Sequence, residues 1–451
     1  MLPRFALPYK RRLPKFLVNI FCMQSKGPEA KTVCVIGLGY VGLPLAVQCA
    51  LKGHVVYGLD SDQAKIDVIN SGKSPIDEEF LTENLGKVKL QATSNPAVLK
   101  ECDISIICVP TPVDENFYPD LGPVKEATKT VIANLKKGQL VVVESTINPG
   151  VCEEIVEPLF KEAGLAVGQD YELAHCPERI NPGDPKWNVT NIPRVIGSFT
   201  SRGLEEAALF YESVIDAPIM RMKSIREAEA VKIVENSFRD VNIAFVNELA
   251  KSFDKLGIDI VDVIRGASTK PFAFMPHFPS RGVGGHCIPV DPYYLIERAK
   301  TSGFDHEFLK IARKVNNSMP EYTVELLQDT LNKVKLPMNG TRVALLGLSY
   351  KDNVADLRES PALKIIKHLG RHGCEVITFD PYLLEKSAAR TLDEALSGSA
   401  AIVVATGHKQ FRTLDLDTAR KHGIKVIVDG LNCLDRAEVE KRGILYKGIG
   451  R

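Results

Sequence analysis

The sequence predicts an α/β protein built from two doubly wound parallel-sheet domains joined by a long central helix. Strand-like and helix-like runs alternate from residue 31 onward, and the alternation restarts near residue 341. Between the two, Ile225 to Lys255 contains neither proline nor glycine and repeats apolar residues every three or four positions. Alternating strands and helices imply parallel sheets covered on both faces. An unbroken 3.6-residue period implies one long amphipathic helix.

The first strand is read from "KTVCVIGLG" (31–39), followed by the turn "GLGYVG", a helix through "LPLAVQCALKG" and a second strand "HVVYGLD" ending at Asp60. The later half repeats this order: "TRVALLGLSY" (341–350), "PALKIIKHLGRHG", then "CEVITFD" ending at Asp380. Each half adds buried-strand runs, "CDISIICVP" and "QLVVVES" in the first, "SAAIVVATG" and "IKVIVDG" in the second. In the central helix Val231, Val234, Phe238, Val241, Phe245 and Leu249 form one amphipathic stripe, and the helix is expected to span both domains and to pair with another subunit. Its roughly 31 residues span about 45 Å. The expected organisation is a basic, disordered tail over 1–30, a dinucleotide-binding domain over 31–210, a central helical domain over 211–325 and a second nucleotide-type domain over 326–451.

Bulk properties narrow the function. The chain has 451 residues, 45% hydrophobic and 25% charged, with net charge +1. That balance argues against a nucleic-acid binder, and no apolar run reaches the ~18 residues of a membrane span. The first 30 residues carry six basic side chains against Glu29 alone. The ten cysteines show neither CxxC pairs nor zinc-type spacing, so no metal is expected, and packed thiols of a cytoplasmic protein are.

Gly37, Gly39 and Gly42 form G-x-G-x-x-G between a strand and a helix. The first permits a tight turn, the second lets a pyrophosphate approach the backbone, and the third lets helix and strand pack closely. Asp60, at the end of the second strand, suits the ribose hydroxyls and would repel a 2′-phosphate, so NAD is favoured over NADP. The equivalent later turn, "GLSYKDN", keeps only Gly347 and adds Lys351, a phosphate-binding candidate or a surface lysine. Lys232, Asn236 and Arg239 share one face of the long helix. They suit an anionic substrate or a developing oxyanion, unless they are a solvated polar face. Glu178, in "AHCPERINPGD", is an acid/base candidate or the partner of Arg179 or Arg194. In "GVGGHCIPVDPY" (282–293) three glycines lead into His286 and Cys287. A cysteine there is unlike packing cysteines, and adjacent His286 is read as a turn residue rather than a dyad partner.

Together "VIGLGYVGLPLA", "CVPTP", "ESTINPG", "CPERINPGD", "EAVKIVENSFRDVNIAFVNELA", "GVGGHCIPVDPYYL" and "GLSYKDNVADLRESPA" resemble the UDP-glucose/UDP-N-acetylhexosamine 6-dehydrogenase family, over all but the 30-residue tail. The resemblance implies oxidation of the C6 hydroxymethyl of a UDP-sugar to a carboxylate, in two steps with two NAD. Cys287 would attack the intermediate aldehyde to give a thiohemiacetal and then a thioester. Lys232 and Asn236 would stabilise the C6 oxyanion, Glu178 and Asp291 would orient or activate water, and Thr146 would help place it. The cofactor would lie on Gly37, Gly39, Tyr40, Val41, Gly42, Asp60, Pro110, Thr111 and Thr146. The sugar nucleotide would lie on Glu178, Arg179, Lys232, Asn236, Arg239, Gly284, Gly285 and Lys351, the glycine run cradling it. A homodimer or larger homo-oligomer serving polysaccharide synthesis is implied.

UDP-glucose members carry a second glutamate where this chain has Pro182, which favours an N-acetylated sugar: UDP-N-acetylglucosamine first, UDP-N-acetylmannosamine second, UDP-glucose third. The rival readings are a single-step hydroxyacid dehydrogenase, which has no need of Cys287, and a non-catalytic NAD-binding protein.

Overall fold

The computed structural model describes residues 29–451 apart from 77, 114–117, 181–185 and 286. The expectations for the N-terminal tail, Pro182 and His286 therefore lie outside the described residues. The first sheet comprises β1 (Thr32–Ile36), β2 (Val55–Leu59), β3 (Leu90–Thr93), β4 (Ile104–Ile107), β5 (Gln139–Val143), β6 (Tyr171–His175), β7 (Arg194–Ser198) and β8 (Ile219–Arg221), in the order β3-β2-β1-β4-β5-β6-β7-β8. The second comprises β9 (Arg342–Leu346), β10 (Glu375–Phe379), β11 (Ala401–Val404), β12 (Val426–Asp429) and β13 (Leu445–Gly448), in the order β10-β9-β11-β12-β13. All pairings are parallel except β6 with β7, which departs from the all-parallel expectation.

Alternate residues of each strand point to opposite sheet faces. Val33, Val35, Ile104, Ile106, Leu140 and Val142 join one core, while Cys34, Ile36, Ile107, Val141 and Val143 join another. The second sheet repeats this, with Val343, Leu345, Val403 and Val428 on one face and Ala344, Leu346, Val404 and Ile427 on the other. Continuous apolar runs mark these strands because both faces are buried.

The two halves share their first turn. Gly37 and Gly347 both have φ +94°, which an L side chain resists. Gly37 N–H donates to Leu59 O and Gly347 N–H to Phe379 O, each at 2.8 Å. Leu38 N–H then donates to Asp60 and Leu348 N–H to Asp380. The halves diverge at the next layer. Asp60 remains half-buried, whereas Asp380 is fully buried and accepts from Ser349 and from His408 Nε2. His408 Nδ1 accepts from Asn353 N–H, so the ring is the neutral Nε2–H tautomer. The space above the second turn is thus filled by protein.

The long helix spans Ile225–Leu256, 32 residues, with Ser224 accepting from Glu227 N–H at its start and Gly257 at φ +69° at its end. Its apolar stripe divides: Val231, Val241 and Leu249 are half-buried. Val234, Phe238 and Phe245 are 56%, 50% and 55% exposed. The buried residues are mostly small or polar, Ala228, Glu229, Ser237, Asp240, Ala244, Asn247 and Ala250, with Ile225, Ile233 and Val246. Small residues permit close approach of the crossing helix Glu307–Lys333, and Asp240 and Asn247 find partners there. Arg313 pairs with Asp240, and Asn316 donates to Asp240 and accepts from Asn247. The helices Ser201–Val214 and Glu307–Lys333 cross the sequence boundaries placed at 210/211 and 325/326.

Asp380 accepts from backbone amides, a hydroxyl and an imidazole, which hold its carboxyl well below its ordinary range although burial pushes the other way. Asp380→Asn is expected to cost about 2–4 kcal/mol in chemical denaturation at pH 7, because it removes a buried charge whose donors stay buried. A depressed pKa contributes stability that is lost as pH falls below the unfolded value. The variant should therefore lose less stability than the parent on acidification below about pH 4.

Candidate active site

The site lies where the carboxyl edge of the first sheet, the long helix and the loop 282–290 meet the second domain. In open α/β sheets ligands bind at this edge, beside the reversal of strand order. Here that reversal falls between β1 and β4.

The dinucleotide turn is built as its spacing demands. A Cβ on Gly42 would stand 2.0 Å from Gly37 O, and one on Gly37 would stand 2.8 Å from Cys108 O. Gly39 has nothing within 4 Å of its Cβ position, so its outer side is open. Val41 precedes the helix Gly42–Leu51; Leu43 N–H donates to Gly39 O and Pro44 has no N–H, so the Gly42 amide is the one at the helix start that can face a pyrophosphate. Tyr40 and Pro110 are exposed, and Thr111 is buried, its carbonyl accepting from Tyr294 O–H. Burial raises the Asp60 pKa, but Lys65 and the amides of Asp62 and Leu38 outweigh it and keep the carboxyl ionised. An open turn, a helix start and an ionised carboxylate at the end of β2 fit a dinucleotide with free ribose hydroxyls.

The glycine loop does something different from what its composition suggests. Gly285 has φ +90°, and a Cβ there would meet the Tyr350 ring at 2.6 Å. At Gly284 it would meet Pro361, Glu359 O and Tyr350 within 2.8 Å. Gly285 N–H donates to Arg358 O. These glycines are required by close packing on the second domain, which corrects the picture of a flexible cradle. The loop delivers Cys287 to a turn whose carbonyl accepts from Val290 and Asp291 amides, and the helix Asp291–Thr301 follows.

Cys287 is exposed, yet burial raises its thiol pKa, opposed by Lys232, Arg358 and Arg239 and reinforced by Asp291. Accessible surface combined with desolvation by the wider protein mass is the signature of a residue lining a cleft. Asp291, fully buried, accepts from Asn236 Nδ2 at 2.5 Å. Its carboxyl is pushed up to about 6 by burial, against Lys232 and the Asn236 bond. Cys287, Lys232, Asn236 and Asp291 thus come from one helix and one loop into a single group. Arg239 is exposed on the same helix and reaches it electrostatically.

Other sequence candidates stand around this group. Thr146 is half-buried after β5, and Lys351 is half-buried on the loop after β9. Glu178 is buried in an ion pair with Arg194 at 2.5 Å, one of the two alternatives open at the sequence level. Arg179 pairs with Glu235 and donates to Pro193 O. Three contributors had no sequence signal. Arg358 places its guanidinium 5.8 Å from the Tyr40 ring and so links the dinucleotide turn to Cys287. His175 is buried at the end of β6, its pKa lowered to about 3 by burial and by Lys232. Glu144 lies beside Arg194.

Asp291 generates a testable pH dependence. Its folded pKa lies above the ordinary 3.8, so the folded state holds an extra proton and loses stability as pH rises from about 4 to about 6. Asp291→Asn removes that loss. Urea denaturation should show the variant gaining on the parent by up to about 3 kcal/mol across this interval. A constant difference would remove the buried-carboxyl account.

Comparison with known proteins agrees with this geometry. Models of the UDP-glucose/GDP-mannose dehydrogenase family match the NAD binding domain over residues 31–215, the central domain over 226–318 and the UDP binding domain over 344–436. The chain is 37% identical over 398 residues to the UDP-N-acetyl-D-glucosamine 6-dehydrogenase of Pseudomonas aeruginosa, covering 87% of this chain and 94% of that protein. It is also 37% identical over 424 residues to the UDP-N-acetyl-D-mannosamine dehydrogenase of Pyrococcus horikoshii, covering 93% and 99%. A solved structure of a UDP-D-ManNAc dehydrogenase from P. horikoshii superposes with TM-score 0.88 at 36% identity, over 93% of this chain and 99% of that one. With all three of its domains present in order, the chain belongs to the UDP-glucose/GDP-mannose dehydrogenase family and is an NAD-dependent nucleotide-sugar dehydrogenase.

Proposed function

We propose that this chain oxidises the C6 hydroxymethyl of a UDP-N-acetylhexosamine to the carboxylate, with UDP-N-acetylglucosamine the favoured substrate, through a thiohemiacetal and a thioester on Cys287. The observation that carries this reading is the group formed by Cys287, Lys232, Asn236 and Asp291. A nucleophile accessible to solvent beside a cation and an amide is superfluous for a single hydride step. It is needed to hold an aldehyde.

NAD, held by Gly37, Gly39, Gly42 and Asp60 with Tyr40, Val41, Pro110, Thr111 and Thr146 around it, supplies the hydride acceptor. At C6 the Lys232 ammonium and Asn236 amide stabilise negative charge on oxygen. Cys287 adds through sulfur to the aldehyde carbon, giving a tetrahedral adduct that can surrender a second hydride and become a thioester. Bound substrate relieves the thiol of water while keeping Lys232, Arg239 and Arg358 near, and these cations favour the thiolate. Water then attacks the thioester carbonyl and Cys287 leaves as thiolate. Asp291, Glu178 and Thr146 place that water, and the Asp291 carboxyl near 6 suits acceptance of its proton. Lys351, Arg179, Gly284 and Gly285 border the nucleotide side.

The manno epimer is the second reading, because a relative of that name is as similar as the gluco one. The test is the yield of NADH per mole of UDP-N-acetylglucosamine, UDP-N-acetylmannosamine and UDP-glucose. A yield of two with the first supports the reading, and two with another sugar alone reassigns the substrate. Cys287→Ser should lower uronate formation by at least about 10³-fold. An undiminished rate would mean a single-step dehydrogenase.

The exposed stripe Val234, Phe238 and Phe245 is the face on which two copies pair as a homodimer. Phe245→Glu, on the exposed side and away from Asn236, is expected to shift sedimentation from dimer to monomer without loss of helical signal.

A further inference from the structure

The carboxyl edge of the first sheet holds a cluster that this reading leaves unused. Arg194 opens β7, the strand antiparallel to β6. Continuing the register from Ala174↔Ser198 and His175↔Gly197 brings Arg194 opposite Glu178. A parallel β7 would have put its first residue at the other edge of the sheet. Arg194 Nη2 lies 2.5 Å from Glu178 Oε2, and Nη1 lies 3.8 Å from Glu144 Oε2. Glu144 follows β5, and its Oε1 accepts from Tyr211 O–H at 2.5 Å. All four side chains are buried.

One guanidinium therefore serves two buried carboxylates, and among the described residues no second cation is in ion-pair contact with either. An uncompensated buried charge is costly, so the cluster holds one proton. Geometry says which acid holds it. Glu178 Oε2 stands in an ion pair 2.5 Å from the Arg194 guanidinium, and Glu178 Oε1 accepts from the Arg179 and Ile180 amides at 2.5 and 2.6 Å. Glu144 is farther from Arg194 and, among the described residues, has the Tyr211 hydroxyl as its one hydrogen-bond donor.

We propose that Arg194 is the positioning residue for Glu178 and that Glu144 carries the proton that keeps Arg194 committed to it, so that loss of this proton slows sugar oxidation. This rests on the active-site reading above. The groups acting on Glu144 are Arg194, Glu178, Tyr211 and Lys232, and it acts in turn on the thiols of Cys49, Cys108 and Cys176. Burial pushes the Glu144 carboxyl up to about 7, opposed by Arg194 and reinforced by Glu178. Ionisation in the neutral range then makes two carboxylates compete for one guanidinium and adds a negative charge behind Lys232. Both effects oppose the negative charge that must build on the sugar oxygen.

The test is Glu144→Gln in the full-length protein. Glutamine has the shape of the protonated acid and its Oε1 can accept from Tyr211, whereas Arg194→Met would leave two buried carboxylates unpaired. The ratio of kcat for variant over parent is expected to rise at least threefold between pH 6 and pH 8.5, with a midpoint near 7. Tm gives a reading independent of substrate. A raised folded pKa means that the parent loses stability as pH rises from about 4.5 to about 7, so the variant's Tm should gain on the parent's over that interval. A moving Tm difference with a flat kcat ratio would show a proton that does not reach the active site, and would overturn the positioning role. Two flat curves would overturn the proposal entirely. No turnover of any UDP-sugar by the parent would overturn the active-site reading and the positioning role with it, leaving the Tm comparison to report on the proton alone.

Discussion

Everything functional here is registered against one rod. The 32-residue helix Ile225–Leu256 has no proline or glycine to bend it, and capping at both ends keeps it intact. It presents three faces to three tasks. A face of small and polar residues locks it onto the crossing helix and onto the first domain, where Glu229 accepts from the amides of Gly150 and Cys152. A second face carries Lys232 and Asn236 to the reacting centre. The third leaves Val234, Phe238 and Phe245 open. Because the rod is stiff, the lysine and the amide keep fixed spacing whatever the flanking loops do.

Cys287 is registered against that rod through glycine. Gly284 and Gly285 allow the loop to press onto Tyr350 and the Glu359 carbonyl at distances no Cβ tolerates. The same contact ties the loop to Arg358, whose guanidinium reaches Tyr40 on the dinucleotide turn. Nucleophile, cofactor turn and second domain are thereby coupled through a few close contacts rather than through a large flexible cradle.

The two α/β halves show how one local design is put to two uses. Both keep the positive-φ glycine and the aspartate that caps the turn. In the first half the aspartate pairs with Lys65 beside an open Gly39. In the second, Ser349 and His408 close over Asp380 and turn a ligand position into a structural core. Ser349 belongs to the turn, but His408 arrives from the loop after β11, which is why the turn sequences alone do not display the change.

The strands, the long helix and the dinucleotide turn were legible in the sequence because each depends on neighbours within a few residues. Period, glycine spacing and an aspartate at a strand end are local quantities. The face on which the long helix meets its crossing helix was not legible: small and polar residues such as Ala244, Asp240 and Asn247 carry no apolar period. Nor was the reason for the glycine run, which lies in Tyr350 more than 60 residues away. Arg194 is the sharpest case. Its place opposite Glu178 exists only because β7, with β8 beside it, runs antiparallel to the other six strands, and strand direction is set by packing across the whole sheet rather than by the residues of the strand. The sequence by itself determined the elements and the chemistry-bearing residue types. Tertiary structure alone decided which of them meet, because charge pairing and burial depend on distances between segments far apart along the chain.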